Sequence, residues 1–105
     1  FGIDCSGLTQ LYTAAQGISI PRDAYQQIEL GQSVDFLEKQ EGDLAFFQNK
    51  SGKITHVGIV LNGGQIIHAS NQVRVDLLSK IGITHCNTQE LTHELVEIRR
   101  IILTE

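Results

Sequence analysis

An apolar stripe with helical spacing runs through the first part of the chain. Its members follow one another at intervals of three and four residues, at Leu8, Leu11, Tyr12 and Ala15. This spacing places them on one face of an α-helix that is anchored by that face. Asp4 or Ser6 can cap the start of the helix, and Gly17 is placed to end it. The pattern therefore predicts a helix that begins near Cys5.

A second and shorter helix is predicted after an extended link. Pro21 disfavours helical geometry in the residue before it, so the first helix does not continue through this point. Asp23 can cap a helix that runs from Ala24 to about Leu30 and stops at Gly31. Residues 33–40 have mixed polarity and are predicted as a loop or a single helical turn.

The pattern changes from helical to extended after residue 43. Short β-rich runs are separated by turn signals rich in glycine and asparagine, at residues 49–53 and 62–64. The predicted strands are 44–47, 55–61, 65–70, 73–77 and 96–103. Residues 79–87 are predicted as a loop, and residues 88–95 are ambiguous between helix and loop.

Helices followed by a run of antiparallel strands define an α+β layout. The expected architecture has N-terminal helices packed on one face of an antiparallel sheet of about five strands. No internal repeat and no interdomain linker divides the sequence, so residues 1–105 are interpreted as one domain.

Composition narrows the classes of function. The chain has 105 residues, 41% of them hydrophobic, and a net charge of −4. The length fits one modest core, and the acidic balance argues against a nucleic-acid partner because no basic stripe can neutralise phosphates. No apolar run approaches the ~18 residues that a membrane-spanning helix needs. Two cysteines without CxxC spacing predict neither a disulfide framework nor a structural zinc site.

Cys5 is the first candidate for chemistry, because it lies at the predicted start of a helix. Unpaired backbone N–H groups and the positive end of the helix dipole favour the thiolate form of a cysteine at such a position. Nucleophilic catalysis by a thiolate also needs an imidazole within hydrogen-bond reach and a group that fixes the imidazole.

His56 and His68 are the candidates for these two roles. They lie on consecutive predicted strands that are joined by the turn at residues 62–64. Positions equidistant from a hairpin turn face each other. The two histidines are centred on residue 62, so they are predicted as near partners on one face of the sheet. One can then orient the other, which makes a Cys–His–His relay geometrically reasonable.

These residue types also have ordinary structural roles. A single cysteine is most often a small buried hydrophobe, and a single strand histidine is most often a surface or satisfied core group. A structural role for the trio therefore stays open on the residues alone. His85, Cys86 and His93 lack HExxH or paired-cysteine spacing. They are predicted to be solvent-exposed loop residues, and no metal and no cofactor is expected.

Five short segments carry a more specific pattern. They are Asp4-Cys5-Ser6-Gly7-Leu8, Ile20-Pro21-Arg22-Asp23, Gly42-Asp43-Leu44-Ala45-Phe46-Phe47, Thr55-His56-Val57-Gly58-Ile59-Val60 and Ile67-His68-Ala69-Ser70. In order and spacing they resemble the motifs of the NlpC/P60 family of papain-like cysteine peptidases. The resemblance covers the chain from Phe1 to about Leu78 and implies the fold of that family.

The resemblance also implies a chemistry. The family cleaves peptides of the bacterial cell wall, typically the bond between γ-D-glutamate and the following diamino acid. By this resemblance Cys5 is the nucleophile, His56 the general base and later the general acid, and His68 the residue that orients His56. The implied substrate-binding residues are Asp4, Ser6, Asp23 and Arg22. The alternative role of Asp23 is to cap the second helix, and the alternative role of Arg22 is to hold the fold through an ion pair.

The chain departs from the family pattern at two points. The family usually carries a Tyr-x-Trp-Gly-Gly-like segment before the cysteine motif, and this sequence begins at Phe1 without it. The catalytic domain is therefore expected to be N-terminally incomplete, with wall-targeting domains upstream in the full-length protein. Ala24 stands where relatives often have serine or threonine, which removes one hydroxyl contact.

The implied partners are peptidoglycan peptides or muropeptides. Such substrates imply an exported protein, periplasmic or associated with the cell wall, although some relatives recycle wall peptides in the cytoplasm. Two other functions stay open. One is a non-catalytic domain that binds cell-wall peptides, and the other is a related papain-like amidase that cuts a different amide bond.

Overall fold

Two helices form where the apolar spacing predicts them. The computed structural model describes residues 3–70 and 72–101, and in it α1 spans Cys5–Ala14 and α2 spans Ala24–Gln27. The carboxylate of Asp4 caps α1 by accepting a hydrogen bond of 2.8 Å from a backbone amide in the first turn. Neither of these described helices is long and apolar enough to cross a membrane.

All the strands of the described residues belong to one antiparallel sheet. They are β1 Gln32–Val34, β2 Leu44–Gln48, β3 Ile54–Val60, β4 Gln65–Ser70, β5 Gln72–Leu78, β6 Gly82–Thr84 and β7 Leu91–Arg100. Their order is β1-β7-β2-β3-β4-β5-β6, and β6 also pairs with β7. The strands from β2 to β7 therefore close into a small barrel. β1 and β6 share one edge of β7, because β1 pairs with residues 98–100 and β6 with residues 91–94.

The sheet differs from the prediction in strand number and in shape. The sequence predicts about five strands, whereas the described residues contain seven strands in a closed sheet. The additional strands β1 and β6 have three residues each, too short to display alternation. The ambiguous segment 88–95 contributes the first half of β7, and closure depends on it. The predicted end of the last strand, residues 102–103, lies outside the described residues.

Alternating side chains of the strands enter two separate apolar clusters. On β2, Ala45 and Phe47 belong to the cluster inside the barrel, and Leu44 and Phe46 belong to the cluster outside it. The inner cluster also contains Val60, Ile66, Leu78, Ile83 and Ile98. The outer cluster includes Val57 and Ile59 and is contacted by Cys5, Leu8 and Tyr12. Burial of the outer cluster therefore holds the first turn of α1 against β2 and β3.

A buried carboxylate, Asp43, joins the start of β2 to the end of β7. It is 3% exposed. It accepts a hydrogen bond of 2.8 Å from the amide of Gln40 and two from the guanidinium of Arg100, at 2.8 and 2.9 Å. This bidentate pair ties together two strands that are far apart in sequence.

Arg100→Met is expected to lower the free energy of unfolding by about 3 kcal/mol, because the substitution leaves a buried carboxylate without its cation. Urea denaturation at neutral pH measures the change. Lys53→Met, which removes a solvent-exposed cation from the loop between β2 and β3, should change the free energy of unfolding by less than about 0.5 kcal/mol. Equal unfolding midpoints for the two variants would contradict a stabilising role of the Asp43–Arg100 pair.

Candidate active site

Cys5 occupies the first position of α1 and lies beside β3. Its Sγ is 3.8 Å from the carbonyl oxygen of Thr55, and Thr55 directly precedes His56 in the sequence. The packing of α1 thus brings the thiol to the strand that carries the first candidate histidine. Cys5 and Cys86 are both free thiols.

Arg22 holds the residues on either side of Cys5. Its guanidinium donates hydrogen bonds of 2.5 Å to the carboxylate of Asp4 and 2.7 Å to the hydroxyl of Ser6. The hydrogen bond from Arg22, together with that from the amide of Gly7, lowers the pKa of Asp4. The ionised Asp4 therefore accepts from the helix amide and from Arg22 at once, which fixes the turn that presents the thiol.

The four predicted substrate-binding residues differ in what remains available to a ligand. Asp4, Ser6 and Arg22 bond one another, and Ser6 is buried at 6% exposure. The side chain of Asp23 is 51% exposed and lies 4.0 Å from Arg22. The backbone amide of Asp23 is not available to a ligand, because it donates a hydrogen bond to the side chain of Gln26 in the cap of α2. The side chains of Asp4 and Arg22 are each 55% exposed, so the Asp23 carboxylate is about as accessible as these two groups.

His56 and His68 form the predicted contact, in a different register. His56 Nε2 lies 2.8 Å from His68 Nδ1, and the two side chains are buried at 6% and 1% exposure. His68 pairs with Gly58 instead of lying opposite His56. The loop at residues 62–64 is centred on residue 63, so the predicted centre on residue 62 is wrong. Both histidines still share one face because the offset is two residues.

Gly58 makes room for this diagonal contact. It lies between His56 and Val60 on β3, directly opposite His68. A Cβ atom at Gly58 would come within 3.1 Å of the His68 Cβ and within 2.7 Å of the Ile66 Cδ1. A side chain at this position would therefore displace the second histidine from its place beside the first.

A carboxylate that the sequence analysis did not assign lies behind His68. Asp76 Oδ2 is 2.8 Å from His68 Nε2, and Asp76 is 2% exposed. The carboxylate also accepts from Arg74 Nε at 2.8 Å, from Arg74 Nη2 at 3.2 Å and from the amide of Cys86 at 3.0 Å. Burial alone raises the pKa of Asp76, but the hydrogen bonds from Arg74, His68 and Cys86 outweigh it and hold that pKa well below its usual range.

The position of Asp76 repeats the diagonal geometry of the histidine pair. His68 lies directly opposite Arg74 on β5, so Asp76 is again two residues from the opposite position. An acidic residue on the same face of the strand that follows His68 was the signal available in the sequence. Three neighbouring strands thus supply three side chains in line, His56, His68 and Asp76.

The predicted loop residues His85, Cys86 and His93 have three different environments. Cys86 is exposed and His85 is half-buried, with its Nε2 2.7 Å from Arg74 Nη2. The prediction is wrong for His93, which is half-buried on β7. Its ring stacks on that of His56 at a centroid distance of 4.0 Å and an interplanar angle of 19°. This contact arises because β7 and β3 pair with opposite edges of β2.

The three clustered imidazoles are arranged for contact with each other and poorly arranged for a shared metal ion. A nitrogen from each of His56, His68 and His93 lies within 4.8 Å of the others. A metal ion lies near the plane of each imidazole that binds it. Two of these rings are stacked face to face, and the nitrogens of His56 and His68 already bond each other. The geometry favours a relay of imidazoles over a metal centre.

Burial makes His56 a neutral imidazole at ordinary pH. Loss of solvent, followed by the repulsion that His93 and His68 would exert on a second positive charge, lowers the pKa of His56 to about 3. The pKa of His93 is also lowered, again chiefly by burial. A neutral His56 has one ring nitrogen with a free lone pair, so it can accept a proton.

Two clefts flank this centre. A cleft of about 440 Å³ lies along α1 and is lined by Leu8, Leu11, Tyr12, Glu41, Gly42, Ile59, Leu61 and Ile67. A second, more polar cleft of about 300 Å³ reaches His93 and is lined by Gln48, Asn49, Lys50, Leu91, Thr92, His93 and Glu94. The stacked ring of His93 separates this second cleft from His56.

Comparison with known proteins gives one family and a set of related structures. The sequence pattern of the NlpC/P60 family matches residues 1–100. A Bacillus subtilis protein named gamma-D-glutamyl-L-lysine dipeptidyl-peptidase is 44% identical over 71 residues, which are 66% of this chain and 24% of that protein. The chain thus spans about a quarter of the length of this relative.

Solved structures of other proteins share the fold, among them two from Bacillus cereus and Mycobacterium tuberculosis. A NlpC/P60 family protein from Bacillus cereus has a TM-score of 0.77 and 34% identity, over 95% of this chain and 32% of that chain. RipD from Mycobacterium tuberculosis has a TM-score of 0.73 and 28% identity, over 96% of this chain and 68% of that chain. RipD is described as a non-catalytic NlpC/p60 domain protein adapted to peptidoglycan binding.

Proposed function

The chain belongs to the NlpC/P60 family, and from that premise we propose that it is the catalytic domain of a cysteine peptidase that hydrolyses peptidoglycan stem peptides. The observation that carries the proposal is the buried His56–His68 contact of 2.8 Å, whose first member lies on β3, the strand beside Cys5. A nucleophile, a base and a group that orients the base are the parts required for covalent catalysis by a thiol.

The reaction follows from the chemistry of these groups. The thiol of Cys5 gives its proton to His56, and the thiolate attacks the scissile carbonyl carbon. The tetrahedral oxyanion is stabilised by backbone N–H groups at the start of α1, which have no acceptor within the helix. His56 then protonates the leaving amine as the C–N bond breaks, which leaves an acyl-enzyme. His56 next takes a proton from water, the hydroxide attacks the thioester, and the free acid and the thiol are restored.

The low pKa of His56 is compatible with this sequence of steps. In the resting state a second positive charge in the cluster is disfavoured, so His56 is neutral and able to accept a proton. Once the thiolate of Cys5 has formed, the imidazolium lies next to an anion, and this attraction offsets part of the cost of burial. The His68 nitrogen on the other side accepts from His56 and stabilises the developing charge further.

The proposed scissile bond is that between γ-D-glutamate and the following diamino acid. The name of the Bacillus subtilis relative, gamma-D-glutamyl-L-lysine dipeptidyl-peptidase, supports this choice. The accessible carboxylate of Asp23 would bind the ammonium group of such a peptide. Asp4, Ser6 and Arg22 would shape the same end of the site by holding the turn around Cys5. A wall peptide as substrate would place the protein outside the cytoplasm, with wall-targeting domains in the full-length protein.

A binding module without turnover is the second candidate. The fold similarity to RipD, which is described as non-catalytic and adapted to peptidoglycan binding, supports this candidate. The presence of Cys5, His56 and His68 favours the peptidase, because a binding domain needs neither a thiol at a helix start beside β3 nor a buried imidazole pair.

Mass analysis of the products from defined muropeptides tests the proposal. The full-length protein is incubated with a muropeptide whose sugar carries the stem L-Ala-γ-D-Glu-diamino acid, and the expected products are the sugar with L-Ala-D-Glu attached and the free diamino acid. A product cut between sugar and peptide would identify an amidase instead. An intact substrate that nevertheless binds in calorimetry would identify the binding module, and either result would overturn the peptidase.

A further inference from the structure

We propose that Asp76 is a positioning residue that acts through His68 and holds His56 in the tautomer with its proton on Nε2. The free lone pair of His56 is then on Nδ1. The role of this tautomer in catalysis rests on the proposed function, whereas the tautomer itself follows from the hydrogen bonds of the buried cluster.

The first step is that Asp76 can only accept hydrogen bonds. Its two oxygens receive three donors besides His68, which are Arg74 Nε, Arg74 Nη2 and the amide of Cys86, at 2.8, 3.2 and 3.0 Å. A protonated carboxyl would bring its own hydrogen against one of these donors. The carboxylate is therefore ionised, and at 2% exposure no bulk water replaces its partners.

The second step fixes the proton of His68. Because Asp76 Oδ2 is an acceptor, the nitrogen that faces it at 2.8 Å, His68 Nε2, carries a hydrogen. Arg74 already balances the charge of Asp76. A positive charge on His68, which is 1% exposed, would add an unbalanced cation beside two further imidazoles. A neutral His68 with hydrogen on Nε2 has its lone pair on Nδ1.

The third step determines which nitrogen of His56 carries its hydrogen. His68 Nδ1 accepts, so the nitrogen at 2.8 Å from it, His56 Nε2, must donate. A neutral His56 with hydrogen on Nε2 has its lone pair on Nδ1. This is the one nitrogen of His56 left to take a proton from a nucleophile. Asp76 thus determines which atom of His56 is basic without touching His56.

The segment between β6 and β7 explains how Asp76 is held. Its turn places the amide of Cys86 on Asp76 Oδ1, and His85 lies against the guanidinium of Arg74. The turn is stabilised locally, because the amide of His85 donates to the carbonyl of Glu90 and the amide of Gln89 donates to the carbonyl of His85, each at 2.9 Å. This part of the chain lies outside the five motif segments, and two of its residues, His85 and Cys86, contact the Arg74–Asp76 pair.

Asp76→Asn tests the proposal, because the carboxylate can only accept hydrogen bonds, whereas the amide donates at its nitrogen and accepts at its oxygen. The Oδ1 side receives two donors from neighbours other than His68, and the Oδ2 side receives one. The amide nitrogen is therefore expected on the Oδ2 side, where it faces His68 Nε2. Nitrogen-15 shifts of the imidazoles should report hydrogen on Nε2 for His56 and His68 in the wild-type protein. The same shifts should report hydrogen on Nδ1 for both in the variant.

Activity gives the second readout. Hydrolysis of the stem peptide by the Asp76→Asn protein is expected to lose about 10³-fold in kcat with little change in KM, since the base now presents N–H to the thiol. Asp35→Asn, the same chemical change at an exposed position, should leave tautomers and kcat unchanged. Asp76→Glu, which keeps the carboxylate, should keep the wild-type tautomers and recover part of the activity.

The possible results separate this proposal from the proposed function. Wild-type protein with hydrogen on Nδ1 of His56 would overturn the proposal, even if the Asp76→Asn protein did not fold. A folded Asp76→Asn protein with unchanged tautomers and full activity would overturn it too. Wild-type protein with the expected tautomers and no turnover of any stem peptide would contradict the peptidase and leave the tautomer assignment standing.

Discussion

Cys5→Ala is expected to lower the hydrolysis of a γ-D-glutamyl–diamino-acid peptide by at least about 10⁴-fold, since the thiol forms the covalent bond of the proposed reaction. The substitution removes only one sulfur atom, whose hydrogen-bond contact is a long one of 3.8 Å. The helix cap by Asp4 and the clamp by Arg22 do not involve the thiol and remain in place. The fold and the binding of the peptide should therefore persist.

Two measurements on the full-length protein and one control variant test this prediction. Product formation by mass spectrometry gives the loss of turnover, and calorimetry with the uncut peptide shows whether the variant still binds it. Ser51→Ala, in the exposed loop between β2 and β3, serves as the control with unchanged turnover. Equal rates for Cys5→Ala and wild-type protein would exclude a mechanism in which Cys5 is the nucleophile.

The parts of the site that could be predicted from sequence are those set by local pattern. A helical stripe that begins after Asp4 places Cys5 at a helix start, and the structure has α1 begin at Cys5. The turn at residues 62–64 between two β-rich runs brings His56 and His68 to one face of a hairpin. The turn is centred on residue 63 and not on residue 62, so the pairing of the two strands differs from the prediction by two residues. A shift of two residues leaves His56 and His68 on the same face of the sheet.

Asp76 was missed because the alternation of its strand indicates that the opposite face is buried. Along β5 the apolar residues Val73, Val75 and Leu77 are 47%, 41% and 41% exposed, whereas Asp76 is 2% exposed. A period-2 pattern ordinarily buries the apolar set. Here the cost of burying a carboxylate is offset by Arg74, His68 and the amide of Cys86. None of these compensating partners is apparent from the composition of the strand.

His93 and the barrel depend on pairings between distant segments. β6 pairs with β7 over three positions, and β7 pairs with β2 on its other edge. Neither the short β6 nor the polar first half of β7 has a distinct local pattern, so the segment is ambiguous when taken alone. The pairing of β7 with β2 brings His93 over the ring of His56. The residues that surround His56 thus depend on long-range strand pairing, whereas the strand that carries His56 could be predicted from the local pattern.

The burial of His56 also predicts how the stability of the domain depends on pH. Its pKa in the folded state is lowered to about 3 from an ordinary value of 6.5. Between these values the unfolded chain binds a proton that the folded chain does not, so stability is full above about pH 6.5 and falls as pH decreases toward 3. His56 alone should cost the folded state about 2 kcal/mol between pH 6.5 and pH 5. The lowered pKa of His93 acts in the same direction.

His56→Gln isolates this contribution. Urea denaturation of the wild-type and variant proteins from pH 7.5 to pH 5 gives the free energy of unfolding against pH, in a range above the titration of carboxylates. As pH decreases, the free energy of unfolding of the wild-type protein should fall more steeply than that of the variant. Near pH 5 the two slopes should differ by about 1.4 kcal/mol per pH unit. Above pH 7 the two curves should run parallel, which serves as the internal control. Parallel curves down to pH 5 would mean that folded His56 takes up a proton as readily as the unfolded chain, and a base so easily protonated would not remain neutral beside Cys5 in mild acid.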